Sequence, residues 1–550
     1  MQIDVIASKP TPLSAETAFA YHARTKHALD RYAAGPETLD WDTQPNPFRD
    51  YAGCARLPLP LAADHVTTTL QNVYEPAGVS APISLASIAA LLELSMGISA
   101  WKQYGPDRWA LRCNPSSGNL HPTEAYLISA NVPDLDDGLY HYVSRDHVLE
   151  QRCGRASRSP GPTRLWIALS SIHWREAWKY GERAFRYCQL DIGHAVGAVR
   201  YAAGALGWGA TVIDNVDSAA LSAWMGLDRS ADFAGVEPED ADLLIAIDPF
   251  GGSSSGQIDD IPDAFDSTTD LWAGQANRLD PHPLYSWPVI AEVSAATEGR
   301  APFDPEAPSP YPPLSGRPAA RAADIILNRR SAQRFDARFT MGLEQFHRLL
   351  DCLLPRPVAP WDVWGFTPRL HPVLFVHRVE GLDPGFYTLP RRGEALPALR
   401  RALRDDFEWQ DVAGTPAHVP LFRLLPTNSR ATIRTASCHQ AIAADACFAL
   451  SMLSEFEPIV GANPWRYRQL HWEAGLLGQV LYLEAEAAGL RGTGIGCYFD
   501  DSVHDMLGIT TTQFQALYHF TVGLPLTDSR ITTSEAYPGR QRNEHARAAT

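Results

Sequence analysis

The sequence predicts two related domains of mixed helix and strand, fused in one chain of 550 residues and facing each other as an intramolecular pseudo-dimer. Three observations lead there. Segments recur in order: Leu85, Ile88, Leu91 and Leu92 mark one helix face, and Leu343, Phe346, Leu349 and Leu350 mark another in the same register. Leu120-His121-Pro122 runs on to Gly138-Leu139-Tyr140 as Leu370-His371-Pro372 runs on to Gly385-Phe386-Tyr387, and Arg186, Gly193, Ala203 and Gly207 match Arg468, Gly475, Ala485 and Gly489 at one constant offset. Repeats of this size exceed the few tens of residues of a solenoid unit, so they read as whole domains. Finally, each copy keeps chemistry-bearing residues that the other lacks, which places function at the interface between them.

Taken in order, residues 1–80 read as an irregular arm that wraps, with Trp41-Asp42 and Asn46-Pro47-Phe48 as its aromatic and Pro-rich stretches. The first domain, 81–250, follows helix, strand, strand, long helix, strand. Its strands fall at 125–130, 165–170 and 242–247, each β-rich or continuously apolar and bounded by turn residues. Its long helix, 183–206, puts Tyr187, Leu190, His194, Gly197 and Tyr201 on one face. The run Gly251 to Gly256 and the Pro-rich stretch 302–318 make 251–320 a linker. The second domain, 321–538, has helices near Leu343, Ala441 and Leu470 and strands near Pro372 and Phe514, and 539–550 is a polar tail. Ala195, Gly197, Ala198, Ala202, Ala203 and Gly204 crowd the first long helix with small side chains. Glycine costs a helix about 1 kcal/mol against alanine, so a close backbone approach is expected. Leu470, Ala474, Leu477 and Leu481 line the counterpart. The two helices are expected to meet across the pseudo-two-fold; the alternative is burial of each within its own domain.

Bulk properties narrow the function. A net charge of −16 argues against nucleic acid or an anionic membrane as partner. No apolar run approaches a membrane span and the start is polar, so a cytoplasmic protein is expected. Eight cysteines lie scattered without a Cys-x-x-Cys pair, which reads as buried reduced thiols. His121, His141, His147, His173 and His194 lack metal-ligand spacing, so no metal site is expected.

Four segments carry candidate chemistry. Asn328-Arg329-Arg330-Ser331-Ala332-Gln333-Arg334-Phe335 offers guanidiniums and a hydroxyl suited to a phosphate and the polar edge of a flat cofactor, though a solvated basic face would look the same. Asn114-Pro115-Ser116-Ser117-Gly118-Asn119-Leu120-His121-Pro122 can bring backbone N–H groups and short polar side chains against a planar ring, or can be a plain turn. Gly492-Thr493-Gly494-Ile495-Gly496 follows the second long helix; it reads equally as a phosphate-holding nest or a helix C-terminal turn, and is misplaced for a dinucleotide fingerprint. Trp174-Arg175-Glu176-Ala177-Trp178-Lys179-Tyr180-Gly181 sets a lysine beside a tyrosine; burial could make that lysine a base, or it could be a snorkelling surface residue.

Together these segments resemble the nitroreductase-like FMN flavoprotein superfamily, in particular its SagB-type branch of azoline dehydrogenases and thiazoline oxidases. The resemblance rests on Arg329-Arg330-Ser331, Pro115-Ser116-Ser117-Gly118-Asn119 followed by Glu124-Ala125-Tyr126, Lys179-Tyr180, and Arg186-Tyr187 with Asp191, Gly193 and His194. It implies an α+β fold, a mainly antiparallel sheet flanked by helices in each of two tandem nitroreductase-like domains. It also implies FMN held non-covalently at a two-fold interface, with the Arg-Arg-Ser segment from one copy and the Pro-Ser-x-x-Asn loop from the other. The second copy has nothing like that loop before His371, and the first offers only Thr25-Lys26-His27 and Arg31 in place of Arg-Arg-Ser. One FMN per chain is therefore expected. Its ligands would be Arg329, Arg330, Ser331, Arg334, Pro115, Ser116, Ser117, Gly118, Asn119, Gly494, Ile495 and Gly496.

The resemblance further implies that Lys179 is the catalytic base and Tyr180 its partner, with no lysine in the matching Trp465-Arg466-Tyr467. The expected activity is FMN-dependent dehydrogenation of thiazoline or oxazoline rings in a modified peptide or related natural product, alongside a biosynthetic partner enzyme. The alternatives are an NAD(P)H-dependent reductase of nitro or quinone compounds and a flavin-free scaffold.

Overall fold

Two antiparallel sheets that repeat one strand order organise the chain. The computed structural model describes residues 12–75, 78–157, 161–249, 265, 269–304, 311–314 and 319–539. The expected Gly251–Gly256 opening of the linker and nearly all of the expected tail lie outside them. The first sheet is built on β1 (Thr123–Ala130), β2 (Gly138–Val143), β3 (Val148–Gly154), β4 (Arg164–Ser171), β5 (Gly209–Val212) and β6 (Asp240–Asp248), in the order β3-β2-β1-β4-β6-β5, with short edge pieces Ala55–Pro58 and Leu271–Trp272 on β3. The second is built on β7 (Leu370–Val376), β8 (Gly385–Thr388), β9 (Phe422–Pro426), β10 (Phe448–Glu455), β11 (Arg491–Ile495) and β12 (Phe514–Gly523), in the order β9-β8-β7-β10-β12-β11. The central strands of both sheets are buried along almost their whole length. That explains why they read as continuous apolar runs instead of alternating ones.

Between the sheets lie two long helices, α1 (Ala184–Ala205) and α2 (Arg466–Ala487), which pack on each other more extensively than any other pair of elements. Their crossing is reciprocal. A Cβ on Gly193 would collide with the backbone carbonyl of Trp472, and a Cβ on Gly475 with that of Leu190. Glycine is required at both positions because the two backbones touch. The Trp472 indole N–H donates to Gln189 at 2.7 Å, and Arg468 reaches across to Asp242 at 3.0 Å as Arg186 reaches across to Asp500 at 2.8 Å.

Three sequence readings change. The first 80 residues are not uniformly irregular: Pro12–Arg24 is a helix that buries Tyr21 and His22, with His22 Nδ1 3.3 Å from the Tyr467 hydroxyl. Proline at its first position suits a helix start, where the missing N–H would have no intrahelical partner. The two Leu-His-Pro triplets are not equivalent. Leu127 pairs with Tyr140 and Ile167, and Leu374 with Tyr387 and Leu450, so His371 on its strand matches Glu124, and His121 precedes the strand altogether. Gly492-Thr493-Gly494-Ile495 is neither nest nor helix terminus but part of edge strand β11, paired with β12. Its glycines exist because the Phe520 and Tyr518 side chains lie where their Cβ atoms would be.

Candidate functional site

A cleft of about 520 Å³ opens where the two halves meet, lined from the first half by residues 115–119 and from the second by residues 329–331 and 493–496. Its size suits a small-molecule cofactor.

The loop from the first half is fixed from beneath. Ser117 donates through its backbone N–H and its hydroxyl to Asp191 on α1, each at 3.1 Å. The His121 N–H donates to Ser116 Oγ at 2.8 Å, and the Asn119 amide donates to the Ala110 carbonyl at 2.9 Å. Gly118, Asn119 and His121 have φ of 58°, 61° and 55°, so the loop turns through left-handed backbone that only glycine adopts without strain. The far end is tied by Arg175, which donates to the His121 carbonyl at 2.7 Å and to Glu124 at 2.5 Å. Arg175 lies on the helix His173–Tyr180, so the same clamp sets the position of Lys179 one turn later.

Lys179 and Tyr180 stand against this loop. A Cβ added to Gly118 would lie 3.2 Å from Lys179 Nζ and also press on the Tyr180 hydroxyl. Lys179 Nζ sits 5.2 Å from the ring centres of both Trp41 and Tyr180. Burial lowers the Lys179 pKa, opposed by the neighbouring Glu176. Glu176 and Asp191 are buried carboxyls pushed up by desolvation, Asp191 to about 7.

Cations cluster at the opposite end. Arg329 is buried, donates to the Arg112 carbonyl at 2.9 Å and leaves its Nε without a partner. Arg330 is held by the carbonyls of Leu327 and Arg329 at 2.8 and 2.7 Å. Its pKa falls to about 10 through burial and then the Arg329 charge. Lys102 is lowered by burial and by Arg330 and Arg491. Ser331 Oγ shares a 2.8 Å hydrogen bond with the Tyr482 hydroxyl, which accepts the Gly494 N–H at 3.0 Å. A group of crowded cations with an orphaned buried donor is what an anionic phosphate would relieve, so the residues present fit FMN.

Of the residues singled out from sequence, Pro115 to Asn119, Tyr180, Arg329, Arg330, Ser331, Gly494, Ile495 and Gly496 converge on the cleft, with Lys179 just behind the loop. Arg334 does not line it; the residue is exposed, and its carbonyl accepts the Leu526 N–H at 2.9 Å. Thr25 to Arg31 does not line the cleft either. It lies beside Asp500, whose carboxylate accepts the His27 N–H at 3.0 Å, while the Thr25 carbonyl accepts Arg183 at 2.6 Å. Lys102, Tyr482 and Arg491 were missed. Arg491 opens the glycine strand and could have been flagged with it; Lys102 and Tyr482 carry no local signal.

The place related to the cleft by the repeat is filled. Residues 362–366 precede β7 as the polar loop precedes β1, but they include Trp364 and Phe366, both buried. Phe303 packs edge-on against Phe366 at 4.9 Å and its N–H donates to Asp214 at 2.7 Å. Arg200, matched to Tyr482 by the helix crossing, forms a bidentate pair with Asp362 at 2.7 Å.

Comparison with known proteins agrees with the geometry. Residues 80–236 match the nitroreductase family model. A protein of Methanocaldococcus jannaschii named as a nitroreductase is 26% identical over 141 residues, 24% of this chain and 68% of its own length. A crystal structure of an Anabaena variabilis protein, also named as a nitroreductase, covers 93% of this chain and 99% of its own with a TM-score of 0.68 at 21% identity, which shows a shared fold across both halves. A chain of the E. coli microcin synthetase McbBCD complex overlaps 45% of this chain and 97% of its own at 15% identity and a TM-score of 0.25, too low to support any functional statement. The nitroreductase-like fold, mixed α+β with antiparallel sheets flanked by helices, thus stands. Among the described residues no helix is long and apolar enough to cross a membrane.

Proposed function

We propose that the protein is an FMN-dependent oxidoreductase, built as a tandem duplication folded into a pseudo-dimer, that dehydrogenates thiazoline or oxazoline rings in a modified peptide or related natural product. The observation that carries it is the convergence, in one cleft, of the polar loop 115–119 from the first half and Arg329-Arg330-Ser331 from the second, with Lys179 and Tyr180 against the loop. Bound FMN would supply a two-electron acceptor for hydride. Arg329, Arg330, Arg491 and Lys102 would hold its phosphate, and the 115–119 loop with its Asp191 support would face its ring.

Aromatising an azoline ring removes a hydride and a proton. The proton must go to a positioned base. Lys179 suits that role because desolvation lowers its pKa, raising the neutral amine fraction near neutral pH. Tyr180, whose phenol is held protonated by burial, keeps its hydroxyl as a donor beside the amine. Trp41 and the helix bearing Lys179 limit water access to it. The long-helix offset corrects the expected match at Trp465-Arg466-Tyr467: Lys179 falls on Gly461, in the helix Glu457–Ala462, which puts no basic side chain at that position. Catalysis is one-sided.

The test is Lys179→Ala, assayed with a synthetic azoline peptide and with NADPH plus a nitroarene. Loss of ring oxidation by about 10²–10⁴-fold with unchanged FMN content supports the assignment. Normal ring oxidation removes Lys179 as the base. Fast NADPH-driven nitro reduction without ring oxidation would favour a reductase, and a colourless protein that takes up no FMN would favour a scaffold.

A further inference from the structure

Cys438 and Cys497 form a thiol pair that the proposed reaction does not use. Their sulfurs are 2.8 Å apart, sharing one hydrogen bond, although the residues come from different elements. Cys438 follows the helix Arg430–Ala436 with a φ of 51°, and Cys497 directly follows Gly496 on the cleft wall. Both are partly exposed; of the other six cysteines only Cys54 is.

The surroundings favour a thiolate on one of the two. His27 Nδ1 accepts the Ala33 N–H at 2.8 Å, which leaves the proton on Nε2, and Cys497 lies near enough to the ring to raise its pKa against the lowering by burial. Arg183 donates to the Gly496 carbonyl at 3.2 Å, one residue away. The Cys497 thiol is lowered, first by the Cys438 thiol in contact with it and then by His27, and Cys438 is raised in return. Cys54, by contrast, is raised by burial. A low-pKa thiolate with a second thiol in contact is the arrangement that thiol–disulfide exchange requires.

We propose that Cys438 and Cys497 are a redox-modifiable dithiol that a small-molecule disulfide closes to a protein disulfide on the outer wall of the cleft. The Cys497 thiolate attacks one sulfur of the small disulfide, breaking its S–S bond and releasing one thiolate. Cys438 then loses its proton to solvent and attacks Sγ of the mixed disulfide, expelling the second small thiolate. Two protein thiols are oxidised, one small disulfide is reduced to two thiols, and the released thiolates take up the protons. The pair touches both the cleft and the arm. The Cys497 carbonyl accepts from Gln440, a cleft residue, at 3.1 Å, while His27 and Tyr32 of the arm meet edge-on at 5.0 Å beside it. This inference does not depend on the flavin reading.

The experiment treats the full-length folded protein with oxidised glutathione, alkylates free thiols and maps peptides by mass spectrometry. Expected are a loss of two hydrogen atoms, two fewer alkylated thiols and a single crosslink joining Cys438 to Cys497. Cys438→Ser should stop at a stable glutathione adduct on Cys497. In the untreated protein, iodoacetamide should label Cys497 about tenfold faster than Cys54, and His27→Gln should reduce that ratio. Oxidised protein with no such crosslink, a crosslink to a different cysteine, or a folded Cys438→Ser variant with no adduct on Cys497 would each overturn the proposal.

Discussion

The cleft and the place that the repeat relates to it share a scaffold but not an interior. Both lie beside the α1–α2 crossing and both are bounded by a loop ahead of the first strand of a sheet. In the cleft, that loop is polar, braced by Asp191, and faced by crowded cations. At the other place the loop brings Trp364 and Phe366, the segment holding Phe303 lies against it, and Arg200 is neutralised by Asp362. Helix packing and strand order are set by apolar patterning and by two glycines, and these persisted in both halves. The polar side chains that would hold the proposed cofactor stand on one side only. The scaffold can be kept while one of two sites is closed by filling it.

Several changes would break or sharpen that contrast. The largest effect is expected from replacing Arg329 and Arg330 together with alanine. Losing two charge-assisted contacts of about 1.5–3 kcal/mol each should weaken FMN binding by roughly 10²–10⁴-fold, read by fluorescence titration of the apoprotein. Unchanged binding would move the phosphate elsewhere.

Next comes the pH dependence of Asp191. Its pKa in the folded protein is raised to about 7 against an ordinary value near 3.8. The native state therefore holds this proton where the unfolded chain has lost it. Stability should fall as pH rises from about 4 to about 7, by up to roughly 1.4 kcal/mol per pH unit from this group, with Glu176 acting in the same direction. Urea unfolding of the apoprotein at a series of pH values should show Asp191→Asn flattening this slope; an identical slope in the variant would remove Asp191 as its origin.

On the filled side, Phe303→Ala should cost about 1–2 kcal/mol of stability through lost apolar burial and still admit no second flavin, because the cations there, Arg200 and Arg466, are already paired with Asp362 and Asp304. A second equivalent of FMN in that variant would show that bulk alone closes the site. Smallest is Arg200→Ala, expected to cost about 1 kcal/mol by removing its half-exposed partner's ion pair, with FMN content and turnover unchanged.

Much of this was legible beforehand because it follows from periodicity. The long helices and the strands at 125–130, 165–170 and 242–247 had periodic signals, whereas the meeting of the polar loop with the arginines was implied by the family resemblance alone. What escaped had physical causes. The glycine run from 492 is a strand, since its glycines answer to the Phe520 and Tyr518 rings of a neighbouring strand, a tertiary cause that no local pattern records. The Leu-His-Pro match misled because identity of three residues does not fix strand register, which only pairing partners reveal. Lys102 reaches the cleft from a hairpin in the first half, and nothing in its neighbourhood marks it. The plugging of the second place was foreseeable only as an absence of polar residues. That Phe303, in a Pro-rich stretch read as a spacer, would help fill it was not.

The most direct measurement is flavin stoichiometry: FMN released from the purified, cofactor-saturated protein, counted against chain concentration for the wild type and for Arg329→Ala/Arg330→Ala. One FMN per chain in the wild type and a large loss in the variant are expected. Two per chain, or one per chain retained equally by the variant, would contradict a single cofactor gripped between the two halves.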